Sequence, residues 1–283
     1  MSTTTARHPD GTIELNVTLA WTDVDRTYHE VTDSFAKQTE IAGFRKGKAP
    51  QKLVEEKLDT SKVYEEVVRR IVPKAYTDAV KQENIRPAVT PKVELVNAKQ
   101  GEDWSIRFFT CEKPVITLGD YKGAVAKLKA EKHKKIWTPG QKQEEQKEPP
   151  KPTLDDILAT LLIVLTVTIP TIMIESEVTR LLSDLIDQVR KLGLTVEQYL
   201  ASTNRTSESV RAEYEAQAKR MISLELGLEK IADTESIFVS DDEIAAMIKS
   251  AKTEEERKAL DRDRYYLASV LRRQKTLDFL AGV

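Results

Sequence analysis

Hydrophobic and polar residues alternate near the start of the chain. Over residues 12–20 every second side chain is apolar, and a period of two predicts a half-buried β-strand. The period then lengthens to that of a helix, which we expect to start near Thr22 as its N-cap and to end near Glu40. Its predicted apolar stripe comprises Val24, Tyr28, Val31 and Phe35.

Helical spacing resumes at Leu53 and continues to about Asn84. Pro73 lies inside this stretch, and a proline there predicts a kink or a division of the helix. Further on, residues 93–95 and 104–108 alternate on either side of a Gln100-Gly101 turn, which predicts a β-hairpin. The order strand, helix, helix, hairpin predicts an α+β domain over residues 1–118.

The second half of the chain carries helical signals. Thr195 with Gln198 and Ser240 with Glu243 have the spacing of capping boxes. Apolar stripes indicate three further helices. The first stripe runs from Val178 to Leu192, and its helix ends at Gly193. The second runs from Met221 to Ile231, and the third comprises Tyr266, Leu267, Val270 and Leu271. We predict a multidomain, mainly helical protein: an α+β domain, a basic and proline-rich linker over residues 119–153, and an all-α domain over residues 154–283.

Residues 157–174 form an uncharged run of the minimum length for a membrane-spanning helix. Four threonines and Pro170 interrupt the run, and acidic rather than basic residues flank it, so we favour a soluble interpretation. We expect a helix followed by an extended piece at residues 166–170, either buried against other helices or partly exposed. An exposed run would offer apolar side chains to a binding partner.

Composition and charge limit the possible functions. The 283 residues are 40% hydrophobic and 32% charged, as expected of a helix-rich globular protein. Cys111 is the single cysteine, so no intramolecular disulfide forms, and the first eleven residues have no apolar leader; both points predict a cytoplasmic protein. Residues 154–283 carry 17 basic and 23 acidic side chains, which disfavours nucleic-acid binding by that half.

The connector at residues 43–48 combines two glycines with three cations. Glycines let a backbone come close to a partner, and an exposed phenylalanine beside arginine suits a protein or RNA surface. The alternative is that Phe44 packs inward and the cations only keep the connector soluble. The residues concerned are Gly43, Phe44, Arg45, Lys46, Gly47 and Lys48.

This connector, extended by Ala49-Pro50, resembles the ribosome-binding signature of the trigger factor family. Further strings fall in family-like order, so the resemblance is specific over residues 13–123; they include Pro73-Lys74-Ala75-Tyr76 and Leu118-Gly119-Asp120-Tyr121. In the second half, Ile169-Pro170 followed by Ile174-Glu175-Ser176-Glu177 resembles the start of the family's chaperone domain more weakly.

The resemblance implies a ribosome-associated chaperone for nascent or unfolded polypeptides, with no cofactor and no membrane partner. Arg45 and Lys46 would contact rRNA and Phe44 a tunnel-exit protein of the large ribosomal subunit. The protein would be a monomer or a weak dimer. Among the apolar side chains of the helical body, we expect client contacts at Ile163, Leu165, Ile172, Met173, Met221 and Met247. The alternative is a cytosolic holdase that works without the ribosome.

Most trigger factors carry an FKBP-like prolyl isomerase domain of about a hundred residues. Between Tyr121 and Leu154 this chain has a lysine-rich stretch and a proline-rich stretch, too short for such a domain, so we expect no isomerase activity. Other chemistry has little support. Three scattered histidines do not predict a metal site, and the 43–48 connector lacks the spacing of a phosphate-binding loop. Lysines at 127–135 either contact rRNA or line a solvated helix face.

Overall fold

The structure is a computed structural model that describes residues 1–38, 60–133, 152–251 and 253–283. The chain divides into two compact units. The first comprises Met1–Lys113 with Pro170–Ser176, and the second comprises Pro114–Ile169 with Glu177–Val283. The chain therefore leaves the first unit after Lys113 and returns to it for the short segment Pro170–Ser176.

A four-stranded antiparallel sheet forms the centre of the first unit. Its spatial order is β1-β2-β4-β3, so β2 and β4 are the inner strands. The strands are β1 (Ser2–Arg7), β2 (Thr12–Leu19), β3 (Lys92–Asn97) and β4 (Trp104–Cys111). Gly101 takes a positive φ of 83° in the β3–β4 turn, where a residue without a Cβ is favoured.

Two helices, α1 (Trp21–Gln38) and α2 (Thr60–Gln82), pack against one face of this sheet. Alternation in β2 and β4 places one apolar set on that face, and the set is buried. The largest buried side chains of this core are Ile13, Leu15, Ile106, Trp104 and Phe108. The predicted strand at 12–20 and the predicted hairpin are confirmed.

The segment 170–176 joins the first unit through Asp10. The Asp10 carboxylate accepts hydrogen bonds from the Thr12 N–H at 3.0 Å, the Thr12 hydroxyl at 2.9 Å and the Thr171 N–H at 3.1 Å. Thr171 is the first residue of helix α5 (Thr171–Lys191), whose first N–H groups have no partner within the helix. Asp10 therefore caps a helix 161 residues further along the chain.

The second unit is mainly helical. Within it, Tyr121 and Val125 of α3 share a core with Ile157 and Leu161 of α4, Leu228 and Ile231 of α7, and Leu280 of α10. Its elements are β5 (Ile116–Leu118), α3 (Tyr121–His133), α4 (Leu154–Val164), β6 (Leu165–Val167), the rest of α5, α6 (Val196–Ser202), α7 (Ser207–Thr234), α8 (Asp241–Ser250), α9 (Glu254–Arg262) and α10 (Arg264–Gly282).

A polar contact closes this core at the C-terminal end of α7. The Tyr121 hydroxyl donates to Glu235 at 2.5 Å, and Lys122 lies 2.7 Å from the same carboxylate. Burial, followed by the hydrogen bond to Glu235, raises the pKa of Tyr121 to about 12. The phenol therefore stays protonated and keeps donating at neutral pH.

The structure corrects several sequence predictions. Strand β1 was not foreseen, because its Ser-Thr-Thr-Thr sequence has no apolar alternation. Helix α1 begins at Trp21 rather than after a Thr22 cap, since the Trp21 N–H donates to Asp103 at 2.8 Å. Pro73 does not divide α2, which is continuous through it.

Two further differences concern the second half. Residues 121–133, predicted to lie in the linker, form helix α3, because its buried positions Tyr121 and Val125 join the core of the second unit. This unit is not entirely helical, since β5 and β6 pair as a two-stranded antiparallel sheet. The exact domain bounds drawn from the sequence stay a prediction.

The uncharged run at 157–174 begins in α4, continues as the predicted extended piece through β6 to Pro170, and ends in the first turn of α5. Its side chains divide between core and surface: Ile157 and Leu161 are buried, whereas Ile163 is 84% exposed. Among the described residues, no helix is both long and apolar enough to cross a membrane.

We predict that Asp10→Ala lowers the free energy of unfolding by about 1 kcal/mol, the usual cost of a lost helix cap. Partial burial alone would raise the pKa of Asp10, but the hydrogen bonds from Thr12 and Thr171 outweigh it and hold the pKa well below its ordinary value of 3.8. The stabilisation is therefore complete at neutral pH and is lost as the pH falls below that value. Urea unfolding followed by the fluorescence of tryptophan, including the buried Trp104, measures it.

Asp33→Ala is the matched control, because Asp33 is exposed on α1. Equal losses of stability in the two variants at pH 7, or a difference that persists unchanged at pH 3, would contradict a capping role for Asp10.

Candidate functional site

Large aromatic side chains are exposed together in the second unit. Tyr265 is 91% exposed, Phe238 71% and Tyr266 68%. Aromatic groups bury more apolar area than other side chains when a partner covers them, so a group of them at the surface indicates a binding site. All three line the same groove.

The groove has a volume of about 510 Å³ and lies between α7 and α10. Helix α7 contributes one wall, α10 contributes the other, and the loop that follows α7 closes it with Phe238 and Val239. The α7 wall comprises Glu225, Leu228, Glu229, Ala232 and Asp233. The α10 wall comprises Tyr265, Tyr266, Ala268, Ser269, Val270, Arg272, Arg273 and Thr276.

Local sequence positions both walls. Helix α7 starts at a capping box between Thr206 and Ser209, and its buried stripe, which includes Leu228 and Ile231, faces the core. Helix α10 buries Leu267 and Leu280. Because Tyr265 and Tyr266 precede Leu267 by two residues and one, they lie off the buried stripe and face solvent.

Two cations of α10 hold the loop in place. The Arg272 guanidinium donates to the Ile237 carbonyl at 2.8 Å and to the Asp233 carboxylate at 2.6 Å. Lys275 donates to the Phe238 carbonyl at 2.9 Å and to Glu243 at 2.7 Å. These bonds fix the backbone on both sides of Phe238 while its ring stays in solvent.

Glu243 pairs with Lys275 next to the loop that carries Phe238. A hydrogen bond from Lys275, followed by one from the Ser240 backbone N–H, lowers the pKa of Glu243, so this carboxylate is ionised at neutral pH. No group of three His, Cys, Asp or Glu side chains suited to a metal ion occurs in the parts of the chain that the structure describes.

The environment of Cys111 disfavours a nucleophilic role. The residue is buried in the first unit, and burial, followed by the charge of Asp10, raises the pKa of its thiol to about 11. A thiol with this pKa remains protonated at neutral pH and reacts slowly. Its burial fits a packing role.

The six residues predicted to contact clients differ in burial and in the unit to which they belong. Ile163, Met221 and Met247 are exposed in the second unit, and Leu165 is half-buried there. Ile172 and Met173 are buried in the first unit, so they do not belong to an exposed surface in this structure. Their burial follows from the segment 170–176 joining that unit.

Met221 is the member of this set that adjoins the groove. It lies one helical turn before Glu225 and two turns before Glu229, and residues spaced by four share a helix face. It therefore extends the α7 wall by one turn. Ile163 and Met247 do not line the groove.

The other predicted site, residues Gly43 to Lys48, lies outside the described residues. The role of this connector stays a prediction from sequence.

Sequence reasoning missed the aromatic rim. It assigned Tyr266 to an apolar helix stripe, yet this side chain is exposed and Leu267 is the buried member of the stripe. A usable signal was present: Ile237-Phe238-Val239 is an apolar triplet immediately before the Ser240 capping box, a position where solvent-facing loops are usually polar.

Curated relatives align with less than half of this chain. The trigger factor of Desulforamulus reducens is 34% identical over 123 residues, which are 44% of this chain and 28% of that protein. The trigger factor of Natranaerobius thermophilus is 31% identical over 134 residues, 47% of this chain and 29% of that protein. The aligned part thus spans less than a third of each curated relative.

A solved structure matches over the whole length. It comes from the work "Promiscuous Substrate Recognition in Folding and Assembly Activities of the Trigger Factor Chaperone". The TM-score is 0.63 and the identity 12%, over 100% of this chain and 99% of the solved chain. At this identity the match establishes a shared fold.

Family models account for nearly every residue. The model of bacterial trigger factor protein matches residues 1–145, and the model of the trigger factor C-terminus matches residues 124–282. Each covers half of the chain or more, and together they span both structural units. The chain therefore belongs to the trigger factor family.

Proposed function

We propose that this protein is a molecular chaperone that binds unfolded polypeptide segments in the groove between α7 and α10. The observation that carries the proposal is the exposed aromatic rim of Phe238, Tyr265 and Tyr266. An unfolded chain presents apolar side chains, which aggregate with those of other chains unless they are covered. Reversible burial against the rim covers them without a covalent step.

The shape of the groove supports polypeptides rather than small molecules as ligands. Its rim is exposed instead of enclosed, whereas sites for small ligands bury most of the ligand surface. Carboxylates and guanidinium groups line its walls beside the rings, as in the polar surroundings of a protein interface. Broad specificity for apolar segments follows from contacts that are mainly non-directional.

The proposal includes docking on the ribosome through the 43–48 connector. Its support is the family membership together with three cations and an aromatic side chain in six residues. Cations at Arg45, Lys46 and Lys48 suit rRNA phosphates, and Phe44 suits an apolar patch on a tunnel-exit protein. Such a protein would act in the cytoplasm on chains as they emerge.

We further propose that the protein has no prolyl isomerase activity. Between His133 at the end of α3 and Pro152 before α4 there are 18 residues. A compact domain of the isomerase kind requires about a hundred. The span is therefore too short to contain one.

A second candidate function is that of a holdase which does not require the ribosome. The location of the groove favours this function. All residues that line the groove belong to the second unit, and they are far along the chain from the 43–48 connector. The excess of acidic side chains in residues 154–283 also disfavours contact between this part and rRNA.

The rim is tested with the triple variant Phe238→Ser, Tyr265→Ser, Tyr266→Ser. Losing three aromatic contacts should weaken binding of an unfolded client by about tenfold or more. Light scattering of a denatured client, diluted into increasing chaperone concentrations, measures the loss. Because the three side chains are exposed, stability should change by less than about 0.5 kcal/mol.

Val115→Ser provides the matched control, since Val115 is 87% exposed in the same unit but does not line the groove. Suppression of aggregation should be retained in this variant. Equal suppression by the triple rim variant and the wild type would refute the groove as the client site.

Ribosome docking is tested with Phe44→Ala, Arg45→Ala, Lys46→Ala. We expect this variant to be lost from the ribosomal pellet in cosedimentation, and wild-type binding to weaken as salt rises, since phosphate contacts release counterions. The rim variant serves as the control and should still sediment. Undiminished pelleting of the connector variant would exclude docking through residues 43–48 and leave the holdase function.

Isomerase activity is tested on a proline-containing peptide whose cis and trans forms differ in protease susceptibility. The rate of isomerisation with the protein present should equal the uncatalysed rate, which lies on a timescale of tens to hundreds of seconds. An FKBP-type enzyme is the positive control. A rate that increases in proportion to the concentration of this protein would overturn the proposal.

A further inference from the structure

Strand β1 forms one edge of the sheet in the first unit and is weakly anchored there. It pairs antiparallel with β2 over Ser2–Arg7, and within the described residues no strand pairs with its other side. None of its side chains is buried, whereas every second side chain of β2 is. Segments with few buried apolar contacts open at a lower free energy than the core of a domain. The edge of β2 is therefore covered by a strand that can separate from it.

Two hydroxyl groups on the inner face of β1 lack hydrogen-bond partners. Thr3 and Thr5 lie directly opposite Val17 and Leu15, so their side chains are on the face of the sheet that the core helices cover. Their hydroxyl oxygens are shielded from solvent and form no hydrogen bond with any residue that the structure describes. A buried hydroxyl without a partner destabilises the arrangement that buries it. Both groups therefore weaken the pairing of β1 with β2.

Apolar side chains suit the same two positions better. Val17 and Leu15 are fully buried, and an apolar side chain opposite each of them would add a cross-strand contact to the core. Valine has the shape of threonine with a methyl group in place of the hydroxyl, so it fits the same space without an unpaired polar atom. The edge of β2 therefore favours a strand with apolar side chains at alternate positions over the strand that occupies it.

The other positions of β1 place few demands on sequence. Ser2, Thr4 and Ala6 point to the opposite face of the sheet and are exposed. Arg7 pairs with Glu112 at 3.0 Å, but both side chains are partly exposed, so this ion pair contributes little. Any extended segment supplies the backbone N–H and C=O groups that an open sheet edge binds. Pairing with β2 is therefore available to many sequences.

The turn between β1 and β2 is anchored by contacts of its own. The His8 N–H donates to the Thr12 carbonyl at 2.8 Å, and the Asp10 carboxylate accepts hydrogen bonds from Thr12. These bonds do not involve the residues of β1. Separation of Ser2–Arg7 from β2 therefore leaves the turn and the rest of the sheet in place.

We propose that the edge of β2 is a second binding site for unfolded polypeptides, at which an extended segment with apolar side chains at alternate positions replaces β1. The incoming strand pairs antiparallel with Thr12–Leu19, and two of its apolar side chains take the positions of Thr3 and Thr5. A second copy of β1 would bring the same two hydroxyls, so the site favours a segment of a different protein. The proposal rests on the proposed chaperone function for its class of ligand and shares no residue with the groove.

Fluorescence anisotropy of two labelled hexapeptides tests the site on the full chain. The probe Ser-Val-Thr-Val-Ala-Arg is β1 with valine in place of Thr3 and Thr5, and it should bind about tenfold or more tightly than the unaltered sequence Ser-Thr-Thr-Thr-Ala-Arg. The variant Phe238→Ser, Tyr265→Ser, Tyr266→Ser should bind the probe as the wild type does. If that variant also suppresses aggregation as the wild type does, the groove proposal fails while this one stands.

Substitutions within β1 test the displacement. The double variant Thr3→Val, Thr5→Val removes both unpaired hydroxyls, so the chain's own β1 should hold the edge more firmly and weaken probe binding by about tenfold or more. Thr4→Val is the matched control, because Thr4 is exposed on the opposite face, and it should bind the probe as the wild type does. Circular dichroism checks that each variant is folded.

Hydrogen exchange gives a measurement that does not depend on the peptide. The amides of β1 should exchange faster than those of β4 in the wild type, and Thr3→Val, Thr5→Val should slow them by about tenfold. Equal affinity for the two peptides, loss of probe binding in the rim variant, undiminished binding in Thr3→Val, Thr5→Val, or β1 amides as protected as those of β4 would each overturn the proposal.

Discussion

The groove between α7 and α10 depends on Arg272. Its guanidinium, 27% exposed, joins the Asp233 carboxylate on α7 to the carbonyl of Ile237 in the following loop. An isolated surface ion pair contributes little, but a partly buried guanidinium with two acceptors restrains both groups that it contacts. Arg272 thereby fixes the distance between the two walls and the course of the loop that carries Phe238. For the proposed function, a fixed frame with accessible rings suits reversible contact with many different unfolded segments.

The parts of the fold that follow from the sequence are those with a local cause. Strands β2 and β4 were predicted because alternation over eight residues is a direct consequence of one buried face. The capping boxes at Thr195 and Ser240 were predicted because both partners lie within four residues. In each case a short stretch of sequence contains all the interacting groups.

The features that were missed have distant partners. Strand β1 is polar and is defined by pairing with β2, and α1 begins at Trp21 because Asp103 lies nearby in space. Burial of Ile172 depends on the segment 170–176 joining a unit whose other residues end at Lys113. The groove is of the same kind: Phe238 and Tyr265 are 27 residues apart, and only the packing of α10 on α7 brings them to one rim.

Local capping in the second unit has a kinetic consequence. Helices α4, α6, α7, α8 and α9 each begin at a capping box formed within three residues of sequence, whereas α5 relies on the distant Asp10. A cap whose two partners lie three residues apart can form within its own stretch of chain, without a distant segment. These helix starts are therefore specified before the core that joins α3 and α4 to α7 and α10 has to form.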